Sequence, residues 1–557
     1  MNWLAGGSQA LPKRKGLNIP IDMSMAFHSD AGTTLNDSIV GTLIIYMTNT
    51  EGRETYANGA SRYLAHDLAD LIQSQIVSDV RKLHAPEWSR RGKWNSSYFE
   101  ARVPEVPAIL LELLSHQNFA DMRYGLDPRF RFTVSRAIYK GILRFISSQR
   151  NAEYVVQPLP VDHLMLNLKN GNTAELQWKA VKDELEETAT PDGYIVYTRV
   201  GDGGWDNGVL VHGTSYSATL EKGKIYSWKV AAVNKGGKSF DSEILSAGLA
   251  GEGKPVLVVN GFDRISAPAD FVAPGEAGKE LAGFLDDVDH GVPYLKDILY
   301  TGQMKEYRRS IPWMDDDASG FGDSYADYED KVIAGNTFDY PKVHGAALMA
   351  NGYSFISCSN ECVEEGLISL KDYEIVDLIL GKQYQSKMGK GGTFPLQFKT
   401  FNEPMQKALT EYLQKDKGKL FVSGAYVASD LWDNPLAEKK EADVKFATDV
   451  LKFQWRVNQA AKHSGLKTVQ SALSKTGERY DYYDTLNEEC YVVESPDALE
   501  PSCPEAQTVL RYTENNLSAG VAYKKDYSTY IMGVPFETIR TEAERNALMK
   551  TIINTLK

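Results

Sequence analysis

Residues 106–118 read VPAILLELLSHQN. The apolar run has the length of a strand, opens after a proline and ends in His-Gln-Asn, so it reads as a strand buried on both faces. Glu112 sits inside that run. A lone carboxylate there is costly unless it is paired, hydrogen-bonded or ligating. Burial also raises its pKa toward the range useful to a general base or acid. The competing reading is a glutamate at the sheet edge that reaches solvent.

The flanking sequence extends the pattern. IPIDMSMAFHSD (19–30) and IVGTLIIYM (39–47) read as strands. SRYLAHDLADLIQSQIVSDV (61–80) puts Leu64, Leu68, Leu71, Ile72 and Ile76 on one helical face, and RFTVSRAIYKGILRFIS (131–147) is a second amphipathic helix. Strands alternating with helices predict an α/β domain over residues 1–150. His28 stands where the strand 19–30 runs out into Ser-Asp-Ala-Gly. One histidine specifies no metal, and a hydrogen-bonded surface histidine is the plain alternative.

Residues 155–250 change character. TAELQWKAV, GYIVYTRV, SYSATL and IYSWKVAAVN are short alternating runs separated by Gly, Asp, Asn and Pro. They predict a small antiparallel sandwich, with Trp178 and Tyr226 among its buried aromatics. Residues 254–557 return to α/β. KPVLVVNGFDR, GYSFISCSN and KGKLFVSGAYVASDL each run from an apolar strand into a polar loop, and STYIMGVPFETI leads into the closing helix of RTEAERNALMKTIINTL. Loops at such strand ends are where doubly wound sheets hold ligands.

Composition narrows the function classes. The chain has 557 residues, 43% of them hydrophobic and 24% charged, as in an ordinary globular protein. A net charge of −13 argues against nucleic acid as the main partner. No apolar run is long enough for a transmembrane helix, and the N-terminal residues lack the order of a signal peptide. Four cysteines, at 358, 362, 490 and 503, match no zinc ribbon or redox pair; the loop 490–503 invites a disulfide. The acidic stretch 313–330, WMDDDASGFGDSYADYED, lacks the calcium-loop pattern and reads as a solvated loop.

Three resemblances follow from these motifs. MAFHSDA and PAILLELLSHQN, with the helices between and after them, resemble the zinc-dependent N-acetylmuramoyl-L-alanine amidases over about residues 20–150. There a strand ends in a Ser-Ile-His-Ala-Asn-like motif whose histidine binds zinc, which implies His28 as a zinc ligand. A Pro-x-x-Leu-x-Glu segment carries the catalytic glutamate, which implies Glu112. The implied substrate is the lactyl–L-alanine amide of peptidoglycan, and the implied location is the periplasm or cell surface. The family takes two further zinc ligands, a His and a Glu, from upstream, and no His or Glu precedes His28 here. The expectation is a domain lacking its N-terminal part and inactive in this form. His116 is an alternative ligand that the family does not use.

LQWKAV, DGYIVYTR and IYSWKVAAVNKGG resemble a fibronectin type III module. Residues 254–557 resemble the class I glutamine-amidotransferase-like fold at the C-terminus of Bacteroidetes proteins labelled xanthan lyase. The nucleophile elbow would be SGAY (423–426), which has no cysteine; Cys358, His344 and His463 stand in no recognisable triad. That domain is expected to be inactive or to bind. Two alternatives to the hydrolase stay open: a non-catalytic carbohydrate- or wall-binding protein, and a polysaccharide lyase.

Overall fold

The computed structural model describes residues 1–557 except 8–10, 35–37, 265–333, 389–393, 435–436 and 475–476; within 265–333 only three short strands are traced. The acidic stretch 313–330 lies outside the described residues.

The first segment is a four-stranded mixed sheet. β1 (Ser24–Asp30), β2 (Thr42–Tyr46), β3 (Arg90–Asn95) and β4 (Ala108–Ser115) lie in the order β1-β4-β2-β3. β1 runs parallel to β4, and β2 antiparallel to it. Helices α1 (Leu64–Leu83) and α3 (Pro128–Gln149) pack on one face. Ile44, Ile109, Leu111 and Leu113 of the sheet meet Leu68, Ile72, Ile76, Val134 and Ile138 there in one core. Leu43, Ile45 and Leu110 point to the other face, under Ala101 of the single-turn helix α2 (Phe99–Arg102).

α1 and α3 approach closely at Gly141. A Cβ there would stand 2.8 Å from the Ile72 Cα. Gly141→Ala should therefore force the helices apart at a cost of about 1–3 kcal/mol, read as a lower denaturation midpoint. An unchanged midpoint would mean that the helix pair tolerates the shift.

The second segment forms two small sheets. β5 (Asp162–Lys169), β6 (Thr173–Lys179) and β9 (Ser215–Thr219) make one; β8 (Val209–Val211), β7 (Gly193–Val200) and β10 (Ile225–Asn234) make the other. β11 (Gly237–Asp241) and β12 (Leu245–Gly248) both pair with β10. Trp178, Tyr226 and Trp228 are buried between the sheets. This is a fibronectin-like β-sandwich by its own strand pairing.

In the third segment five parallel strands stand in the order β14-β13-β15-β16-β19. They are β13 (Val256–Asn260), β14 (Phe355–Ser359), β15 (Ile375–Gly381), β16 (Lys419–Gly424) and β19 (Ser528–Met532). Antiparallel β18 (Ser518–Lys524) and β17 (Ala506–Tyr512) extend the far edge. The first strand lies between the second and third, as in flavodoxin-like doubly wound sheets. Helices α4 (Tyr340–Ala350) and α5 (Glu542–Leu556) pack against each other.

The sandwich is not a separate bead. β12 pairs with β14 at Gly248 and Phe355, and Cys358 of β14 faces Met165 of β5. One hydrophobic cluster runs from Val161 to Ile531. A buried Arg199–Asp339 pair at 2.8 Å adds a polar tie. The α3 helix is tied to the sandwich in turn by Arg136 and Asp183, 2.8 Å apart.

The expected 490–503 disulfide is corrected: all four cysteines are free. Cys490 is buried in the core cluster around α5, its Sγ turned toward the Glu537 carbonyl oxygen at 4.0 Å. Cys503 is half-buried and packs against the other cluster. The two thiols serve different cores.

Candidate functional site

The register of β1 against β4 sets His28 beside Glu112. On its other side Glu112 faces Leu43 of β2. Its carboxylate thus has an apolar neighbour and a polar one across the sheet. Alternation along β4 turns Leu111 and Leu113 to the helices and leaves Glu112 on the opposite face. Glu112 Oε2 is buried with no hydrogen-bond partner. Burial pushes the carboxyl above its ordinary value, Asp30 and Glu100 add to the rise, and His28 and Arg91 oppose it.

The surroundings come from three further elements. Glu100, on α2, places Oε1 3.6 Å from His28 Nε2. Arg91 of β3 pairs with Asp30 at 2.5 Å and lies 6.0 Å from the Trp94 ring. Phe99 and Trp94 stay 66% and 44% exposed, so the rim of the site is aromatic and open to solvent.

The loops below the site are held rigidly. Asp121 is fully buried and accepts backbone N–H groups from Val40 (2.9 Å), Gly41 (3.1 Å) and Ser115 (2.9 Å). Burial pushes its carboxyl up to about 6, against the pull of those three amides. Asn118 caps the following helix by accepting the Asp121 N–H. Asp121→Ala would leave three backbone donors unpaired, two of them buried, at about 1–3 kcal/mol for each group left without water. A clear fall in melting temperature is expected, with Asp121→Asn falling less. Equal effects of the two variants would count against this role.

Sequence reasoning brought together His28 and Glu112, and the sheet does the same. It missed Glu100, Asp30 and Arg91. Asp30 was legible as the neighbour of His28. Glu100 and Arg91 had no sequence signal, because each reaches the site only through a distant element. His116 does not join His28; its Nδ1 is 3.1 Å from Ser29 Oγ.

Zinc needs at least three protein donors in reach. Among the described residues no three His, Cys, Asp or Glu side chains converge so closely. His28 and Glu100 offer two arms at most, so these residues do not by themselves fit the ion.

No nucleophile–base pair forms among the candidates in the third segment. Ser423 is buried at the end of β16. Cys358 is buried within β14, where desolvation holds its thiol well above the ordinary value. His344 is locked between Asp377 and Glu537. His463 is exposed, with its backbone N–H on Glu514.

No protein-family profile matches the chain. It is 23% identical over 150 residues to the N-acetylmuramoyl-L-alanine amidase AmiC of Escherichia coli O6:H1. That match covers 23% of this chain and 36% of that protein, so the chain spans about a third of this curated relative. It supports a distant, cell-wall amidase-like relationship. Among solved structures, the third fibronectin III domain of human KIAA0343 is 17% identical, covering 18% of this chain and 90% of that one, with a TM-score of 0.16. The fibronectin type III domain of human fibronectin type III domain containing protein 3 is 21% identical, covering 17% and 87%, with a TM-score of 0.15. Among the described residues no helix is long and apolar enough to cross a membrane.

Proposed function

We propose that this chain is a cell-envelope protein whose first segment derives from the peptidoglycan amidases and acts on the lactyl–L-alanine amide. The observation that carries the reading is Glu112. Its Oε2 is buried without a hydrogen-bond partner, and it sits beside His28 of the edge strand β1, in a chain that is distantly and partly similar to an amidase. A desolvated carboxylate is a stronger base than an ordinary one. Glu112 takes a proton from the attacking water as oxygen adds to the amide carbon. It delivers that proton to the nitrogen as the C–N bond breaks, leaving a lactyl carboxylate and a free L-alanine amine. His28 is one candidate metal arm; the chemistry assigned here belongs to Glu112. The reading makes peptidoglycan or a related surface glycan the partner, in the periplasm or at the cell surface.

A second reading is a wall-binding protein without catalysis. It is favoured by the missing third metal donor among the described residues. Incubation of the chain with insoluble peptidoglycan distinguishes the two. New alanine amines in the supernatant support the hydrolase. Co-sedimentation without release supports the binding protein, and the absence of both release and co-sedimentation overturns both readings.

A further inference from the structure

A groove runs along α1 where the first segment meets the sandwich, with a volume of about 560 Å³. Ser74, Ser78 and Lys82 follow one another at four-residue intervals on that helix, so one stripe of it lines the groove over about 12 Å. Val77, 4% exposed, and the half-buried Leu185 give the groove an apolar part. Leu185 lies in the loop between β6 and β7. Its N–H donates to Asp183 Oδ1 at 2.8 Å, and Asp183 pairs with Arg136 of α3 at 2.8 Å. The sandwich side of the groove is thereby fixed to the first segment.

Three cations line this groove and, among the described residues, no carboxylate does, in a chain of net charge −13. Two of the three are set in place by buried groups. Arg90 of β3 donates from Nε to Gln73 Oε1 at 3.3 Å and from Nη2 to Ser74 Oγ at 2.9 Å, and Gln73 is fully buried. Arg90 also reaches Asp70 at 3.2 Å, but Lys93 holds that carboxylate at 2.5 Å. Arg81 donates from Nε to the carbonyl oxygen of the buried Trp88 at 2.9 Å. The remaining donors of Arg81, Lys82 Nζ and the Ser78 hydroxyl have no partner among the described residues.

The helix dipole favours cations in a last turn, and that accounts for Arg81 and Lys82. It does not account for Arg90, which comes from the neighbouring strand and brings a third charge to the same groove. Like charges gathered in this way repel, and a bound anion relieves the repulsion. A carboxylate offers two oxygens and a single charge. A phosphoryl group offers three oxygens and a charge of about −2, which matches three cations with two hydroxyls beside them. Guanidinium forks pair with phosphate through two bonds at a time.

We propose that this groove binds the phosphoryl group of a small phosphate monoester, with Arg81, Lys82 and Arg90 as its charge partners and Val77 and Leu185 against its apolar part. The site is independent of the one around Glu112, which lies on the face of the sheet opposite α1. It needs both segments, because its cations come from the first and Leu185 from the sandwich.

The test is calorimetric titration of the full chain with phenyl phosphate at constant ionic strength. Benzoate carries the same ring on a carboxylate, and benzyl alcohol carries it without charge. Saturable binding of phenyl phosphate is expected, about tenfold or more tighter than that of benzoate, with none for the alcohol. Arg81→Gln should weaken it about tenfold, the loss of one charge-assisted pair. Lys82→Gln removes a side chain with no partner in the protein; it should weaken binding about threefold or more and serves if Arg81→Gln lowers the melting temperature. Lys371→Gln, at an exposed lysine of the third segment, should leave binding unchanged. Equal affinity in wild type and both groove variants overturns the proposal, as does a loss in Lys371→Gln as large as in Lys82→Gln. Benzoate bound as tightly as phenyl phosphate overturns it too, and so does no saturable binding of phenyl phosphate.

Discussion

Replacing His344 with Leu should destabilise the third segment by about 3–5 kcal/mol, because it leaves two buried carboxylates facing each other without a counter-charge. His344 is fully buried on α4. Its Nδ1 lies 2.8 Å from Asp377 Oδ2 and its Nε2 3.3 Å from Glu537 Oε2. The Tyr491 hydroxyl donates to Glu537 Oε1 at 2.7 Å. Burial alone would lower the imidazole pKa, but the two carboxylates outweigh it and push it up from 6.5 to about 9. The side chain is therefore an imidazolium at neutral pH, and the pair and its neighbour tie α4 to β15 and to the turn after β19.

The pH dependence follows from the sign of that shift. A raised histidine pKa gives stability that is complete below 6.5 and is lost as pH rises through about 9. The difference of 2.5 corresponds to about 3 kcal/mol. Asp377, raised by its own burial, also favours the protonated side, over a lower range. Wild type should lose stability between pH 6 and pH 10, and His344→Leu should show a flatter profile there. Hydrogen exchange of the α4 amides, with thermal denaturation, reads both. Combining His344→Leu with Asp377→Leu and Glu537→Gln should recover most of the loss, since no buried charge is then left unpaired and Tyr491 keeps its acceptor. Parallel pH profiles for wild type and His344→Leu would sink this account.

The second large effect concerns Glu112. If the chain cleaves peptidoglycan as proposed, Glu112→Gln should lower the rate of alanine-amine release by about 10²–10⁴-fold, the usual contribution of one general acid–base group. Stability should change little or rise, because a half-buried carboxylate with an unpartnered oxygen is replaced by a neutral amide of the same shape. A silent loss of activity at unchanged melting temperature separates a chemical role from a structural one. Equal release by both forms would remove Glu112 from the chemistry.

Much of the fold was legible along the chain. The helical spacing of Leu68, Ile72 and Ile76 predicted α1, and all three are buried against the sheet. The alternation in TAELQWKAV and IYSWKVAAVN predicted sandwich strands, and Trp178 and Tyr226 lie inside. The spacing also set Glu112 in a buried strand, beside which His28 now stands. Periodicity of two or of 3.6 is a local property, and local sequence carries it.

What neighbours across the sheet was not local. Glu100 reaches His28 because β3, α2 and β4 fold in one order, and no spacing in the sequence encodes that approach. The free state of Cys490 and Cys503 follows from the two thiols entering different cores, which a loop length cannot reveal. The join of sandwich to parallel sheet, and with it the meeting of Glu243 and Asn260, depends on β12 finding β14 more than a hundred residues later. The sequence alone determined the strands and helices with a clear side-chain period, and which face of each is apolar, because those follow from local spacing; strands without such a period, such as β3, were not legible. Only the tertiary structure decided which charged groups share a desolvated space, because that depends on strand order, and strand order is a balance of long-range packing over the whole chain.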